Sequence, residues 1–405
     1  MAQFPHLFSP LALRGRTIRN RILSTGHQTY LARGGLPTDD FIAYHEARAK
    51  GGVGLIVTEA ARFHASALSD SHEIVVTGDD AIAGYSRLAD AVHRHGAAVF
   101  GQLSHSGRVS RRMSNGMRGV AYAPSSVPDN RFHTMPRAMP VAMVEELVEA
   151  CGAAAARFAQ AGFDGVELVC SHGLLFAQFL SPDVNRREDR YGGSRDNRMR
   201  FLRECLAATR RAVGETMVVG VRMSIEELEQ DGIEAQETAA ICAALAREGL
   251  VDYVNATTGS MAGLGGSIHV VPPMQIDTAY VAPQAGSLRA RIGAPVFVAG
   301  RINQPQIAER VLAQGLADMC GMTRALISDP DMANKAKAGD LDDIRACIGC
   351  NQACIGHYHA GCAISCIQNP PTGRERRLGR LAPAPRRARI LVAGGRPAGT
   401  KAAAV

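Results

Sequence analysis

Apolar residues along this chain follow two alternating patterns. Short continuous apolar runs, typical of strands buried on both faces, alternate with longer segments in which apolar residues recur every three or four positions. The runs predict eight strands, at residues 20–25, 53–60, 97–105, 165–169, 217–224, 251–259, 295–301 and 317–324. The clearest amphipathic segments predict helices that end in Gly, at residues 79–96, 144–162, 235–249 and 304–315. Eight strand–helix units predict an α/β fold, a closed (β/α)8 TIM barrel and not an open doubly wound sheet.

The alternation stops near residue 345, where the chain changes character. We predict a barrel over residues 1–345, a cysteine-rich segment over 346–372 and an Arg/Pro-rich linker over 373–388. Residues 389–405 contain an apolar strand and a Gly-rich turn, the pattern of a truncated start of a dinucleotide-binding unit. Arg396 stands where that turn requires its second Gly, so we expect the fragment not to bind a nucleotide by itself.

Composition and charge narrow the function classes. The 405-residue chain has a net charge of +7, but its arginines are spread along the sequence and do not indicate nucleic-acid binding. Every apolar run is interrupted well before the roughly 20 residues that a membrane span requires. The N-terminal segment lacks the apolar core of a secretory signal. We therefore expect a cytoplasmic homo-oligomer that binds neither nucleic acid nor a membrane.

The ten cysteines are unevenly distributed. Five are scattered through apolar stretches, where we expect ordinary buried thiols, and five lie between residues 347 and 366. Four of the clustered cysteines have the spacing C-x2-C-x3-C-x11-C: Cys347, Cys350, Cys354 and Cys366. In a cytosolic protein such a group indicates a metal centre, and this one suits an iron–sulfur cluster. A zinc site that includes His357 or His359 is the alternative, and we interpret Cys362 as a bystander.

Several motifs together reveal a resemblance that covers nearly the whole chain. They are NRI, GQLSHSGR, QFLSPDVNRREDRYGGSRDNRMRF, VGVRMS, VAGRI with GMTRAL, and the cysteine pattern. In this combination the chain resembles the old yellow enzyme family, in the branch that includes 2,4-dienoyl-CoA reductase and trimethylamine dehydrogenase. Members of that branch contain FMN, a [4Fe–4S] cluster and a C-terminal dinucleotide-binding region. The resemblance therefore implies FMN and a [4Fe–4S] cluster here, with FAD or ADP/NAD(P) only where the C-terminal region is complete.

The resemblance also implies a flavin site at the strand ends, the face on which barrel enzymes build their active sites. The residues carried over are Ser24, Thr25, Gly26 and Ala60 beside the ring, Gln102 at its pyrimidine edge, Arg222 near flavin N1, and Gly300, Arg301, Thr323 and Arg324 at the phosphate. A polar strand end is the alternative for Gln102, and surface ion pairs are the alternative for the arginines. Trimethylamine dehydrogenase tethers its flavin to a cysteine after strand one. Gln28 is nearest to that position, so we expect non-covalent FMN.

The segment after strand four departs from the pattern of the family's ene reductases. Those relatives have a tyrosine there that protonates the substrate, whereas this chain has Val169, His172 and Leu174 in the motif. An aliphatic side chain cannot donate a proton, so Leu174 disfavours ene reduction. His172 is the one predicted catalytic residue, with a packed core histidine as the alternative. The carboxylate that trimethylamine dehydrogenase places after strand six corresponds here to Asn255.

These observations leave three hypotheses for the function. The preferred one is an FMN/[4Fe–4S] oxidoreductase that oxidises a small secondary or tertiary amine by N-demethylation or deamination, for instance an N-methylproline-type demethylase. The second is an NAD(P)H-dependent 2,4-dienoyl-CoA or enoate reductase, whose substrate is an unsaturated carbonyl compound. The third is a zinc-stabilised barrel without redox chemistry. The electron partner of a redox enzyme would be a flavoprotein or a nicotinamide nucleotide. The Gly-rich segment 260–274 would form either a lid or a passive surface loop.

Overall fold

A computed structural model of the chain describes residues 3–67, 70–109, 119–379, 386, 389–395 and 400. The strands in these ranges are β1 (Leu11–Leu13), β2 (Arg16–Ile18), β3 (Ile22–Ser24), β4 (Leu55–Arg62), β5 (Ala98–Ser104), β6 (Tyr122–Ala123), β7 (Arg137–Ala138), β8 (Gly165–Cys170), β9 (Val218–Ser224), β10 (Tyr253–Thr257), β11 (Val296–Ala299) and β12 (Met319–Gly321). Nothing among the described helices is both long enough and apolar enough to cross a membrane.

The α-helices connect and surround these strands. They are α1 (Asp39–Lys50), α2 (Asp80–His93), α3 (Val141–Gln160), α4 (Leu175–Leu180), α5 (Arg195–Val213), α6 (Ala235–Arg247), α7 (Leu264–Val270), α8 (Ala282–Ile292), α9 (Pro305–Ala313), α10 (Thr323–Ser328), α11 (Met332–Ala338), α12 (Ile355–His359) and α13 (Glu375–Leu378).

Eight of the strands close into a parallel barrel. The hydrogen-bonded order is β3-β4-β5-β8-β9-β10-β11-β12, and β12 pairs with β3 to complete the ring. Each of the eight predicted apolar runs overlaps one barrel strand, so the predicted (β/α)8 fold is confirmed. The four predicted amphipathic segments overlap α2, α3, α6 and α9. Gly162 and Gly249, which follow α3 and α6, have φ of +82° and +69°, the left-handed backbone that favours glycine after a helix.

The bottom of the barrel, at the amino ends of its strands, is closed by the β1–β2 hairpin. Side chains of the hairpin and of the inward-facing strand positions form one buried cluster: Leu11, Leu13, Ile18, Leu23, Leu55, Val57, Phe100, Val218, Tyr253, Phe297 and Met319. Tyr253 and Phe297 stack within it, with their ring centroids 4.4 Å apart. The sequence pattern did not predict this hairpin, because its two strands have only three residues each. Among the described residues, this cluster closes the lower end of the barrel and leaves the carboxyl ends of the strands open to a ligand.

A repeated aspartate joins neighbouring strands at this lower end. Three aspartates each lie directly before a strand: Asp164 before β8, Asp252 before β10 and Asp318 before β12. Each carboxylate accepts a hydrogen bond from a backbone N–H of the preceding barrel strand, at 2.9, 2.8 and 2.9 Å respectively. Asp164 and Asp252 also pair with Arg16 and Arg14 of the hairpin. The same device therefore fixes the strand register and attaches the hairpin to the barrel.

The segment after the barrel packs back onto its outer surface. Arg48 of α1 is fully buried, stacks on the Tyr44 ring and pairs with Glu375 of α13 at 3.0 Å. The first residues of the predicted linker therefore form a helix against the barrel. Most of the remaining linker, and residues 396–399 of the predicted dinucleotide-type turn, lie outside the described residues.

Replacing Asp164 by Ala should destabilise the barrel. The substitution leaves the buried backbone N–H of Val99 without its acceptor and removes the contact with His93. We expect the free energy of unfolding to fall by about 2 kcal/mol, measured as a lower urea midpoint. The exposed Asp342→Ala variant is the control and should change stability by less than about 0.5 kcal/mol. Equal stability of the two variants would contradict this role.

Candidate active site

A cavity of about 240 Å³ opens at the carboxyl ends of the barrel strands. Ten of the predicted site residues line it: Thr25, Gly26, Ala60, Gln102, His172, Arg222, Gly300, Arg301, Thr323 and Arg324. Ser24 does not line the cavity and is fully buried at the end of β3. Ala60, Gln102 and Arg222 were expected after their strands, but each strand continues two residues further. The structure thus brings the predicted residues together, and the role of each one stays a prediction.

The first and last barrel strands are tied together at the cavity rim. The Thr25 N–H donates to the Thr323 hydroxyl at 2.9 Å, and the two hydroxyls are 2.7 Å apart. Thr323 is the first residue of α10, directly after β12. Two segments from opposite ends of the barrel sequence therefore form one continuous wall.

Gly26 lies under the amide of Gln102. A Cβ atom at residue 26 would be 2.5 Å from Gln102 Oε1 and 2.7 Å from Nε2, closer than van der Waals contact allows. Glycine is required here because the amide rests directly on the backbone. The pair forms a polar part of the cavity wall.

Positive charge dominates the cavity wall. Arg62, Arg222, Arg301 and Arg324 line it, and none of the described lining residues is Asp or Glu. Arg222 is buried, and its Nε and Nη1 atoms have no hydrogen-bond partner in the described part of the chain. Burial lowers the pKa of this guanidinium, while the nearby Glu167 carboxylate opposes that effect. An anionic ligand would satisfy the unpaired nitrogens of Arg222.

Arg301 and Arg324 also hold the segment that contains α7. Arg301 donates to the Met274 carbonyl at 2.8 Å, and Arg324 donates to the Pro272 carbonyl at 2.7 Å. Residues 269–272 form part of the cavity wall. The Gly-rich segment is therefore a short helix and a wall segment fastened to the rim, and its action as a lid stays a prediction.

His172 occupies the turn that follows β8. Its φ of +63° and that of Gly173, +72°, direct the chain sharply across the rim. The backbone N–H of His172 donates to the Ser224 hydroxyl at 3.2 Å, and its carbonyl accepts from Met261 at 3.0 Å. Burial and the charge of Arg222 hold the pKa of the imidazole well below its ordinary value. The ring is thus neutral at pH 7 and lines the cavity beside Leu174.

The chain was compared with protein families on the basis of its sequence. Residues 6–343 match the model of the NADH:flavin oxidoreductase / NADH oxidase family. The chain belongs to this family, and a multifunctional alkene reductase/demethylase OYE of Caballeronia cordobensis is 33% identical over 98% of this chain and 58% of its own length. The predicted FMN-dependent oxidoreductase is therefore confirmed at the level of the family.

Curated relatives of this family include both oxidases and demethylases. An NADH oxidase of Thermoanaerobacter brockii is 35% identical over 407 residues, which are 100% of this chain and 62% of that protein. An N,N-dimethylglycine/sarcosine dehydrogenase of Chromohalobacter salexigens is 34% identical over 99% of this chain and 58% of its own length. A probable N-methylproline demethylase of Rhizobium meliloti is 34% identical over 98% and 59%. The chain spans about three fifths of the length of these relatives.

A solved structure is similar over the same extent. The 2-naphthoyl-CoA reductase complex with 2-naphthoyl-CoA superposes with a TM-score of 0.92 at 28% identity, covering 98% of this chain and 62% of that one. The similarity extends past the family match and includes the cysteine segment. The proteins similar to this chain thus bear reductive as well as oxidative names.

A buried carboxylate beneath the cavity was missed by the sequence analysis. Glu167, in the middle of β8, accepts hydrogen bonds from Gln102 Nε2 at 2.6 Å, Tyr253 Oη at 3.0 Å and Asn255 Nδ2 at 2.9 Å. The signal was present, since a glutamate interrupts the apolar run GVELV. Asn255 was expected after strand six, but it lies inside β10 and points to Glu167 instead of lining the cavity.

A second, smaller cavity adjoins the first and is lined by the four predicted cluster cysteines: Cys347, Cys350, Cys354 and Cys366. The exposed Cys362 does not line it. Cys354, Arg324 and Ile327 line both cavities. No three His, Cys, Asp or Glu side chains of the described residues form a binding site for a single metal ion. The five scattered cysteines are buried, as expected.

Replacing Gly26 by Ala should weaken FMN binding. The new methyl group displaces the Gln102 amide, which is the end of a flexible side chain, so the barrel still folds. We expect the dissociation constant of FMN to rise by about tenfold, or about 1.4 kcal/mol, in a fluorescence titration of the apoprotein. Gly265→Ala in α7 is the matched control, because its Cβ would meet nothing within 4 Å. An unchanged constant for Gly26→Ala would place the flavin elsewhere.

Proposed function

We propose that this chain oxidises a small secondary or tertiary amine, through an iminium that water hydrolyses. The observation that carries the proposal is the wall after β8, where Val169, His172 and Leu174 line the cavity. Leu174 stands where ene reductases of the family have their proton-donating tyrosine, and an aliphatic group cannot protonate a substrate. Hydride loss from the carbon beside nitrogen requires no such acid. Two curated relatives bear the names of N-methyl amine dehydrogenases or demethylases.

The unpaired nitrogens of Arg222 and the polar wall over Gly26 fit a flavin ring. Gln102, Arg222 and Thr25 would hold that ring, and Arg301 and Arg324 would hold its phosphate. Arg301 retains an unpaired, buried Nε atom for this purpose. Gln28 lines the same wall, and its side chain cannot form the covalent tether of trimethylamine dehydrogenase. Bound FMN supplies a hydride acceptor that can pass electrons on one at a time.

The charge of the cavity favours the reactive form of an amine. No described carboxylate lines the space, and Arg222 lies in its wall without a hydrogen-bonded counter-charge, so a protonated amine is repelled and its pKa falls. The neutral amine, whose lone pair assists hydride loss, is therefore the form that the site admits. His172, uncharged because of its lowered pKa, adds no further positive charge and offers the buried Nδ1 atom as a hydrogen-bond acceptor or donor.

We propose further that the four cysteines hold a [4Fe–4S] cluster. All four line one cavity, and iron–sulfur clusters take cysteine thiolates as ligands. The two nearby histidines contact other groups, and this weakens the alternative of a mixed Cys/His zinc site. His357 Nδ1 lies 2.8 Å from the Ala363 carbonyl, and His359 Nε2 lies 3.4 Å from Arg131. Neither histidine lines the cysteine cavity.

A second candidate function, reduction of an unsaturated carbonyl compound, also has an observation in its favour. Tyr358 lines the main cavity and brings a phenol to its wall from the cysteine segment. A phenol is able to protonate a substrate carbon. Tyr30 does not line the cavity and instead meets Tyr358 edge to face. The 2-naphthoyl-CoA reductase has a similar fold.

The two candidates differ in the direction of electron flow. An amine oxidase of this kind passes electrons outward to a partner flavoprotein, whereas a reductase receives them from a nicotinamide nucleotide. The chain spans about three fifths of the length of its relatives. We therefore propose, for the whole protein, that the electron partner is a flavoprotein or a nicotinamide nucleotide. The expected cytoplasmic location and homo-oligomeric state stay predictions.

Anaerobic mixing with N-methyl amines should bleach the flavin absorbance of the oxidised protein. We expect sarcosine or N-methylproline to reduce the flavin within seconds to minutes and to release formaldehyde, measured by absorbance and by a formaldehyde assay. NAD(P)H followed by an α,β-unsaturated carbonyl compound is the opposing experiment. Should amines leave the flavin oxidised while the enone reoxidises the reduced protein, the chain is a reductase.

Replacing Leu174 by Tyr provides a gain-of-function comparison. The phenol restores the acid of the ene reductases, so reoxidation by an enone should become about tenfold to hundredfold faster, at the low end of general-acid effects. Leu174→Phe is the matched control, because it adds the ring without the hydroxyl. Equal rates for the two variants would show that the missing acid is not what limits ene reduction.

Replacing Cys350 by Ala should abolish the cluster. The variant loses one of four thiolate ligands, so we expect iron and acid-labile sulfide to fall to less than about half of the wild-type content. Cys362→Ala is the matched control and should retain both, because its thiol lies outside the cavity. Zinc in place of iron in the anaerobically purified wild-type protein would refute the cluster assignment.

A further inference from the structure

We propose that Glu167 is a positioning residue for the flavin site. It fixes the orientation of the Gln102 amide and offsets the charge of Arg222. The proposal rests on the FMN site described above but not on which substrate is oxidised or reduced. It gives a role to a buried carboxylate that lines neither of the two cavities described above and forms no ion pair with a described cation.

The four side chains concerned come from four consecutive strands and face the barrel interior. Gln102 of β5 pairs in register with Glu167 of β8, and Arg222 of β9 pairs in register with Asn255 of β10. Between β8 and β9, Glu167 is in register with Gly220, so Arg222 lies two residues nearer the carboxyl end of its strand. Residues in register on parallel neighbouring strands point to the same face of the sheet, as do residues two apart on one strand. All four therefore point into the barrel, where Gln102 and Arg222 line the cavity and Glu167 and Asn255 do not.

The hydrogen bonds of Glu167 determine which end of the Gln102 amide is available. Glu167 is fully buried, and its three neighbours, Gln102, Tyr253 and Asn255, each offer it a hydrogen. An ionised carboxylate can only accept, so the NH2 group of Gln102 must face Glu167. The carbonyl oxygen of the amide is then directed away from Glu167. Gln102 consequently offers the ligand an acceptor, which matches an imide N–H such as N3–H of a flavin.

The charge of Glu167 also acts on Arg222. The carboxylate raises the pKa of Arg222 against the effect of burial, although no direct hydrogen bond joins the two. In a buried site of low effective dielectric, a nearby negative charge makes it harder to add electrons to a neighbouring ring. Glu167 therefore makes the surroundings of Arg222 less positive and lowers the reduction potential of the bound flavin.

Glu167→Gln removes the charge with little change in shape. The neighbouring side chains can adapt to the new amide, because the Tyr253 hydroxyl can donate or accept a hydrogen bond. Asn255 has a buried Oδ1 atom without a partner among the described residues, and an amide flip would direct that atom to the new NH2 group. Glu59→Gln is the matched control. Glu59 is likewise a fully buried glutamate on a barrel strand, but its carboxylate accepts from Thr29 and does not contact Gln102.

The experiment uses the purified holoprotein and its apoprotein, with two readouts that do not involve substrate turnover. The first is the midpoint potential of FMN, from a dye-equilibrated reductive titration. The second is the ratio of dissociation constants for N3-methyl-FMN and FMN. We expect the wild-type protein to bind the methylated flavin at least tenfold more weakly, because its methyl group meets the fixed carbonyl of Gln102.

Glu167→Gln should have a more positive midpoint potential. It should keep the discrimination against N3-methyl-FMN, because the remaining side-chain oxygen at position 167 still accepts from the Gln102 NH2 group. Glu59→Gln should keep the wild-type ratio as well. An unchanged potential in Glu167→Gln overturns the charge role. Equal binding of the two flavins by the wild-type protein overturns the orientation role, and this measurement stands even if the variant fails to fold. A protein that shows both effects but oxidises no amine refutes only the proposed reaction.

Discussion

Closure of the sheet between its last and first strands is the constraint on which the site depends. β12 pairs with β3, and the hydrogen bonds between Thr25 and Thr323 continue that contact beyond the strands. In an open sheet these two residues would lie at opposite edges. Because the ring is parallel throughout, closure brings all eight carboxyl ends to one rim. Among the described residues, the filled lower half, with the hairpin beneath it, leaves that rim open to a ligand.

The rim concentrates positive charge that the protein only partly compensates. Arg62 is paired with Glu73, but Arg301 and Arg324 donate to neutral carbonyl and amide oxygens, and Arg222 leaves two nitrogens unpaired. Burying cations without counter-charges costs stability, and an anionic ligand bound there returns it. Affinity for an anionic ligand thus arises from this arrangement.

The sequence predicted the parts of this arrangement that follow from local patterns. Continuous apolar runs located all eight strands, and the resemblance to the old yellow enzyme family, together with the rule that barrel active sites lie at the carboxyl ends, located ten of the lining residues. Strand ends were less well predicted, because β4 extends two residues past its expected limit, where Ala61 and Arg62 pair with β5. Glu167 looked like a flaw in an apolar run, since the donors that compensate for its burial come from strands distant in sequence. The contribution of Tyr358 to the cavity depends on how the cysteine segment folds back, which no periodicity records.

The short helix α10 lies between the two cavities, and its contacts fix the distance between them. Its first residues, Thr323 and Arg324, line the main cavity. The carbonyl of Ile327 in its last turn accepts hydrogen bonds from Asn369 and Thr372 of the cysteine segment. Arg324 also donates to Asn351, between Cys350 and Cys354, at 2.7 Å. A six-residue helix anchored at both ends cannot lengthen without breaking these contacts. The cysteine cavity is therefore held at a fixed distance from the rim, which the proposed electron transfer between a flavin and a cluster would require.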